Sequence, residues 1–94
     1  MSDDAKPAPL YDIVFSNAAR RDFQRLPRQV QQQIAPVIEA LSHEPRPAGL
    51  VALKGQLRGY YRVRSGDYRV IYAVEDNVLR VLIISVGNRR EVYR

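Results

Sequence analysis

Arg62 and Arg64 stand two residues apart, Arg69 follows across Ser65-Gly66-Asp67, and Arg89 and Tyr93 stand four apart near the C-terminus. In an extended strand, residues two apart project from the same face, so Arg62 and Arg64 share a side, with Arg58 farther along it. If Ser65-Gly66-Asp67 is a tight turn, Arg69 returns beside Arg64 on the partner strand. A tail folding back against that hairpin would bring four guanidiniums and a phenol together. Arginine grips phosphate and carboxylate through two parallel N–H bonds and stacks on bases, so phosphate is the ligand this set suits. Three arginines at one hairpin mouth repel each other unless an anion sits between them. Residue by residue there is a plainer alternative, in which the arginines line a solvated sheet face and Tyr93 packs as an edge aromatic.

The elements that must place these residues follow from the apolar spacing. Residues 11–15 are short, β-branched and aromatic, and read as a first strand. Ser16 or Asn17 can cap a helix in which Ala19, Phe23 and Leu26 recur at helical spacing while Arg20, Arg21 and Arg25 face outward. Pro27 ends it and fits the first turn of a second helix, whose stripe is Val30, Ile34, Val37 and Leu41. Pro36 lies inside that stripe; at ~3 kcal/mol in a helix interior, it predicts a kink or an early end. Residues 44–49 are a loop. The period then changes to two. Leu57, Gly59, Tyr61 and Val63 alternate with Arg58, Tyr60, Arg62 and Arg64; residues 68–74 form the returning strand; residues 75–77 turn again; and residues 78–86 are apolar on both faces, as in a central strand. The predicted fold is α+β, an N-terminal strand, a helical hairpin and a three-stranded antiparallel meander whose small sheet packs on the helices. Residues 10–94 make one domain, with residues 1–9 a flexible tail lacking the apolar core of a signal peptide.

Composition narrows the chemistry further. The chain has no cysteine, which excludes thiolate catalysis and a Cys-ligated metal, and one histidine, His43, which almost excludes a His-based triad or a His-rich metal site. His43 falls at the end of the second helix, where it reads as a C-terminal cap. No metal or other cofactor is expected. The absence of cysteine suits a reducing cytoplasm. The longest apolar run is far short of the ~20 residues that span a bilayer, so no membrane partner is expected. Net charge is +5, unevenly placed: residues 1–45 carry five basic and six acidic side chains, residues 46–94 ten and four. Thirteen of the fifteen basic residues are arginine, and a nucleic acid or an acidic protein is the natural partner for the second half.

Several motifs together resemble the RelE family of toxins from bacterial toxin–antitoxin pairs. They are Leu53-Lys54-Gly55, Tyr61-Arg62-Val63-Arg64, Gly66-Asp67-Tyr68-Arg69-Val70-Ile71-Tyr72, Ile84-Ser85-Val86-Gly87 and Glu91-Val92-Tyr93. The early strand and helical hairpin fit the same family, so the resemblance spans residues 10–94. The wider RelE/ParE superfamily includes ribosome-dependent mRNA endonucleases and gyrase poisons that cut no RNA, and fold alone does not separate them. By the resemblance, Arg62, Arg64, Arg69, Arg89 and Tyr93 occupy the family's catalytic positions, and Lys54, Arg58 and Arg90 are RNA-binding candidates. Arg62 and Arg64 replace lysines of the family's best-known member. Gyrase-directed relatives commonly lack the complete set.

The implied reaction is a metal-independent cut in which the RNA's own 2′-OH attacks the adjacent phosphorus. It needs a group to take that proton, cations for the phosphorane oxygens and an acid for the leaving 5′-oxygen. Tyr93, whose phenol neighbouring arginines would acidify, is the candidate base, with stacking on a nucleobase as its competing role. Arg62 and Arg69 would stabilise the phosphorane. Arg89 is the analogue of the acid, but a guanidinium seldom releases its proton, so its role is electrostatic. Arg62 and Arg64, being arginines and not lysines, position and neutralise phosphate without moving protons. The resemblance further implies a cognate antitoxin that wraps the toxin and covers the basic face, with the ribosome and mRNA as targets and operator DNA contacted only through the antitoxin. A gyrase inhibitor on the same fold and a non-catalytic nucleic-acid-binding module are the other two readings.

Overall fold

The computed structural model describes residues 10–88. Strand β1 (Asp12–Phe15) leads into helices α1 (Asn17–Arg25) and α2 (Arg28–Ala40), followed by a short strand β2 (Val51–Ala52) and a 3-10 turn (Gly55–Leu57). Strands β3 (Tyr61–Ser65), β4 (Tyr68–Glu75) and β5 (Arg80–Asn88) complete the fold. The expected α+β class holds, with one strand more than the sequence announced. All five strands form a single sheet in the order β1-β5-β4-β3-β2. β1 runs parallel to β5, and every other pairing is antiparallel.

Local chemistry explains where the helices begin and end. Ser16 caps α1 by accepting from the Ala19 amide at 3.0 Å. Leu26, extended as a residue before proline must be, breaks the chain between the helices. Gln31 Nε2 then donates to the carbonyls of Phe23 (2.9 Å) and Leu26 (3.1 Å), satisfying the otherwise bare end of α1. Contrary to the early end predicted at Pro36, α2 continues to Ala40. Pro36 and Gln32 are exposed, so the helical donor lost to the Gln32 carbonyl is lost on the solvated side of the helix, while Ile38 and Leu41 beyond them are buried and hold the last turn.

Both helices pack on one face of the sheet. Ala19, Ile34, Ile38 and Leu41 meet Val63, Val70, Tyr72, Val81, Ile83 and Val86 there in one core. In β5, Ile84 is an extra residue: Ile71 pairs with Ser85 but Tyr72 pairs with Ile83. This bulge lets Val86 and Ile83 both reach the core despite being three residues apart. Beyond Ile83 β1 has ended, and α1 takes over as neighbour. Ser16 Oγ donates to the Ile84 carbonyl (3.2 Å), and the Val86 amide donates to Asp22 Oδ2 (3.3 Å).

The far end of the sheet is fastened by a polar cluster. Arg46, in the loop after α2, donates to both Asp76 oxygens (3.3 and 2.9 Å) and to the Tyr61 hydroxyl (3.1 Å). Tyr11 donates to Asp76 Oδ1 at 2.6 Å, and the buried Tyr72 donates to the Pro45 carbonyl at 2.7 Å. The Arg46 bonds, then the Tyr11 bond, lower the Asp76 carboxyl below its ordinary pKa. No described helix is long and apolar enough to cross a membrane.

Candidate active site

The face of the sheet away from the helices carries the arginines. In the β3–β4 ladder Val63 pairs with Val70 in the core, so the alternate pairs, Arg62 with Ile71 and Arg64 with Arg69, belong to the face away from the helices. On the β5 side, Arg69 pairs with Gly87 and Ile71 with Ser85. Arg62, Arg64 and Arg69 therefore form a triangle: Arg64 and Arg69 directly across from each other, Arg62 on the diagonal from Arg69. Ile71 is buried yet stands apart from the helix-side core, with Arg62 as its cross-strand neighbour. Tyr61 and Tyr68 pack against that core, on the opposite face from the arginines.

The sharpest electrostatic feature is Arg69. Its Nε is fully buried and has no hydrogen-bond partner among the described residues. A buried N–H of a charged group left unbonded is costly. Gly87 beside it in register adds no side chain to the space around its stem. Arg64 is exposed and Arg62 half-buried. Arg46 and Arg80, counted in the basic half of the sequence, are spent in ion pairs with Asp76 (2.9 Å) and Glu75 (3.2 Å) and do not join the triangle.

The expected placement of Arg58 is corrected. β3 begins only at Tyr61; residues 53–60 form a loop closed by the Leu53 amide on the Tyr60 carbonyl (3.0 Å), and β2 pairs with β3 beneath it. Gly59, at φ 98°, turns the chain between the 3-10 turn and the strand, so Arg58 does not continue the Arg62–Arg64 row. Lys54 and Arg58 are exposed in this loop, at the end of β3 away from Arg64. His43 is exposed in the turn after α2. Arg89, Arg90 and Tyr93 lie outside the described residues, as do residues 1–9. β5 ends at Asn88 opposite Tyr68, one pair beyond Arg69 with Gly87, and Arg89 follows in the chain.

Sequence reasoning missed two residues that serve this face, Asp22 and Gln33. Both sit on helices among solvated polar residues, and only the fold reveals that they reach the strands. Asp22 holds the Val86 amide next to Gly87, and Gln33 Nε2 donates to the Ser65 carbonyl and hydroxyl (3.0 Å each) at the hairpin turn.

Comparison with known proteins agrees with this fold. The family model for the ParE toxin of the type II toxin–antitoxin system parDE matches residues 13–93. Toxin RelE of Mycobacterium tuberculosis is 37% identical over 95 residues, spanning 100% of this chain and 93% of its own. Toxin RelG of the same organism is 35% identical over 88 residues, covering 89% of this chain and 97% of its own. Among solved structures, a chain of the toxin–antitoxin complex RelBE2 from Mycobacterium tuberculosis superposes with a TM-score of 0.77 at 31% identity, covering 87% of this chain and 100% of that one.

Proposed function

The chain belongs to the RelE family of type II toxins within the RelE/ParE superfamily, and from that premise we propose that it is an endoribonuclease that cuts mRNA on the ribosome and is silenced by a cognate antitoxin. The observation that carries the reading is the clustering of Arg62, Arg64 and Arg69 on the sheet face away from the helices, with Arg64 and Arg69 directly paired across the ladder. Three guanidiniums set side by side suit a phosphodiester whose equatorial oxygens gain charge as the 2′-OH attacks. Arg69 and Arg62 hold those oxygens, and Arg64 orients the neighbouring phosphate. In this reading Tyr93 takes the 2′-OH proton or stacks on the flanking base, and Arg89 adds positive charge at the leaving 5′-oxygen. Lys54, Arg58 and Arg90 contact the RNA backbone away from the cut. No metal or cofactor enters, and operator DNA is met only through the antitoxin. The relative solved as a toxin–antitoxin complex supports an antitoxin partner for this chain as well.

A second reading, gyrase inhibition, is favoured by the matching family model, whose description is a ParE toxin. One experiment separates the two. Purified protein is added to ribosomes programmed with a defined mRNA, cuts are mapped by primer extension, and the assay is repeated with Arg69→Ala and Tyr93→Phe. Discrete cuts that weaken roughly 10²–10³-fold in Arg69→Ala are expected, the usual loss for one preorganised donor. Intact mRNA with trapped gyrase–DNA breaks would replace the first reading by the second, and salt-sensitive RNA binding without either effect would leave a binding module.

A further inference from the structure

The tip of the β3–β4 hairpin is where the site is most easily pulled apart. Ser65 and Tyr68 pair at the last rung, Gly66 and Asp67 make the turn, and the next rung is Arg64 against Arg69, two like charges pushing the arms outward. The restraint comes from α2. Gln33 extends from the helix so that its Nε2 donates to the Ser65 carbonyl and to Ser65 Oγ, each at 3.0 Å. The fit is close: a Cβ on Gly66 would stand 2.8 Å from Gln33 Nε2. Its neighbour in the helix, Ile34, is fully buried, so the backbone that carries Gln33 is anchored in the core.

We propose that Gln33 is a positioning residue for the arginine site, clamping the hairpin tip so that Arg64 and Arg69 stay side by side on the sheet face away from the helices. It touches no substrate and acts through Ser65. Nε2 carries only N–H groups, so the clamp works by donating to a carbonyl and a hydroxyl oxygen. A methionine of similar length would keep the packing and lose the bonds. A carboxylate would repel the Ser65 carbonyl until it is protonated and can donate.

The kinetic arm of the test rests on the cleavage reading; the spectroscopic arm does not. In single-turnover cleavage on programmed ribosomes, Gln33→Met is expected to lower the maximal rate roughly threefold to tenfold, the worth of a modest hydrogen bond, with half-saturating toxin concentration and unfolding temperature essentially unchanged. In ¹H–¹⁵N spectra of the free protein, the Gly66 amide and Arg69 Nε–H signals should broaden in Gln33→Met. In Gln33→Glu they should broaden at neutral pH and sharpen as pH falls to about 4, the ordinary carboxylate range. An unchanged rate with unchanged spectra would overturn the proposal, as would a rate loss matched by weaker binding or lower stability. If the wild-type protein cuts no mRNA, the cleavage reading fails by itself, and the spectra decide: signals that stay sharp in Gln33→Met overturn the clamp, and broadened ones uphold it.

Discussion

Arg64 and Arg69 are direct cross-strand partners one rung below the β3–β4 turn, and among the described residues no carboxylate is bonded to either. Like charges placed opposite each other in a ladder oppose folding by a few tenths of a kcal/mol. In dilute buffer Arg64→Gln should therefore stabilise the fold by about 0.5 kcal/mol in urea titrations. Inorganic phosphate should close the gap by stabilising the wild type more, while mRNA cleavage falls in the variant. Destabilisation in dilute buffer would mean that the arginine already has a partner.

Gly66 has φ 61°, the left-handed value that the first central residue of a type II′ hairpin turn requires. Gly66→Ala combines that strain with the 2.8 Å contact to Gln33 Nε2, and should cost about 1–2 kcal/mol in urea denaturation. A cost under about 0.5 kcal/mol would show that the turn readily adopts another geometry.

Asp22 accepts from the Val86 amide in the part of β5 that β1 no longer covers. Asp22→Ala should destabilise by about 1–2 kcal/mol and speed hydrogen exchange at Val86 roughly tenfold, whereas Asp22→Asn, whose amide oxygen still accepts, should keep most of both. Equal exchange at Val86 in all three proteins would rule out a working bond.

Burial pushes the Tyr72 phenol up to about 12, with the nearby Tyr61 adding to the shift. Below about pH 10 the phenol is neutral whether folded or unfolded, and its contribution is complete. Between there and about 12 only the unfolded chain ionises, so stability falls as pH rises, by an amount on the order of 2 kcal/mol. Tyr72→Phe should flatten this alkaline limb and, by removing the donor to the Pro45 carbonyl, cost about 1 kcal/mol near neutrality. Urea midpoints across the alkaline range distinguish the two proteins; parallel curves would place the titration elsewhere.

Leu79 is the only described non-glycine residue with positive φ (53°), and its side chain is 50% exposed. Leu79→Asn keeps a backbone conformation that asparagine tolerates and gives up little buried surface. It should raise stability by about 0.5 kcal/mol. A lower unfolding temperature would show that the leucine packs against something that matters.

The hairpin that carries Arg62, Arg64 and Arg69 was legible because period-two alternation and Ser65-Gly66-Asp67 are local signals, and they fix both the face and the facing pair. The helices were legible from their stripes, although Pro36 misled: a proline rule knows nothing of the buried Ile38 and Leu41 that carry α2 past it. β2 was invisible, since two residues, Val51 and Ala52, show no period. Arg58 was assigned to a strand because alternation continued formally through Gly59, whose left-handed backbone ends it. Gln33 and Asp22 were unreadable for another reason. Each looks like a solvated polar residue on a helix, and its partner lies 32 or 64 residues away in the chain.

The parallel pairing of β1 with β5 bears on how the toxin comes into being during translation. Among the described elements β1 is made first and β5 last, and β5 fills the space between β1 and β4. Until residues 80–88 have left the ribosome, β1 has no sheet partner and β4 keeps an open edge, so a nascent chain holds two separate fragments that cannot close their core. Joining them means closing a long loop in one late step, which slows folding relative to a helical protein of this size. A chain released short of β5 has no Gly87 rung beside Arg69 and no β5 backbone for Asp22 to hold, so premature termination should yield a harmless fragment instead of a partly active toxin.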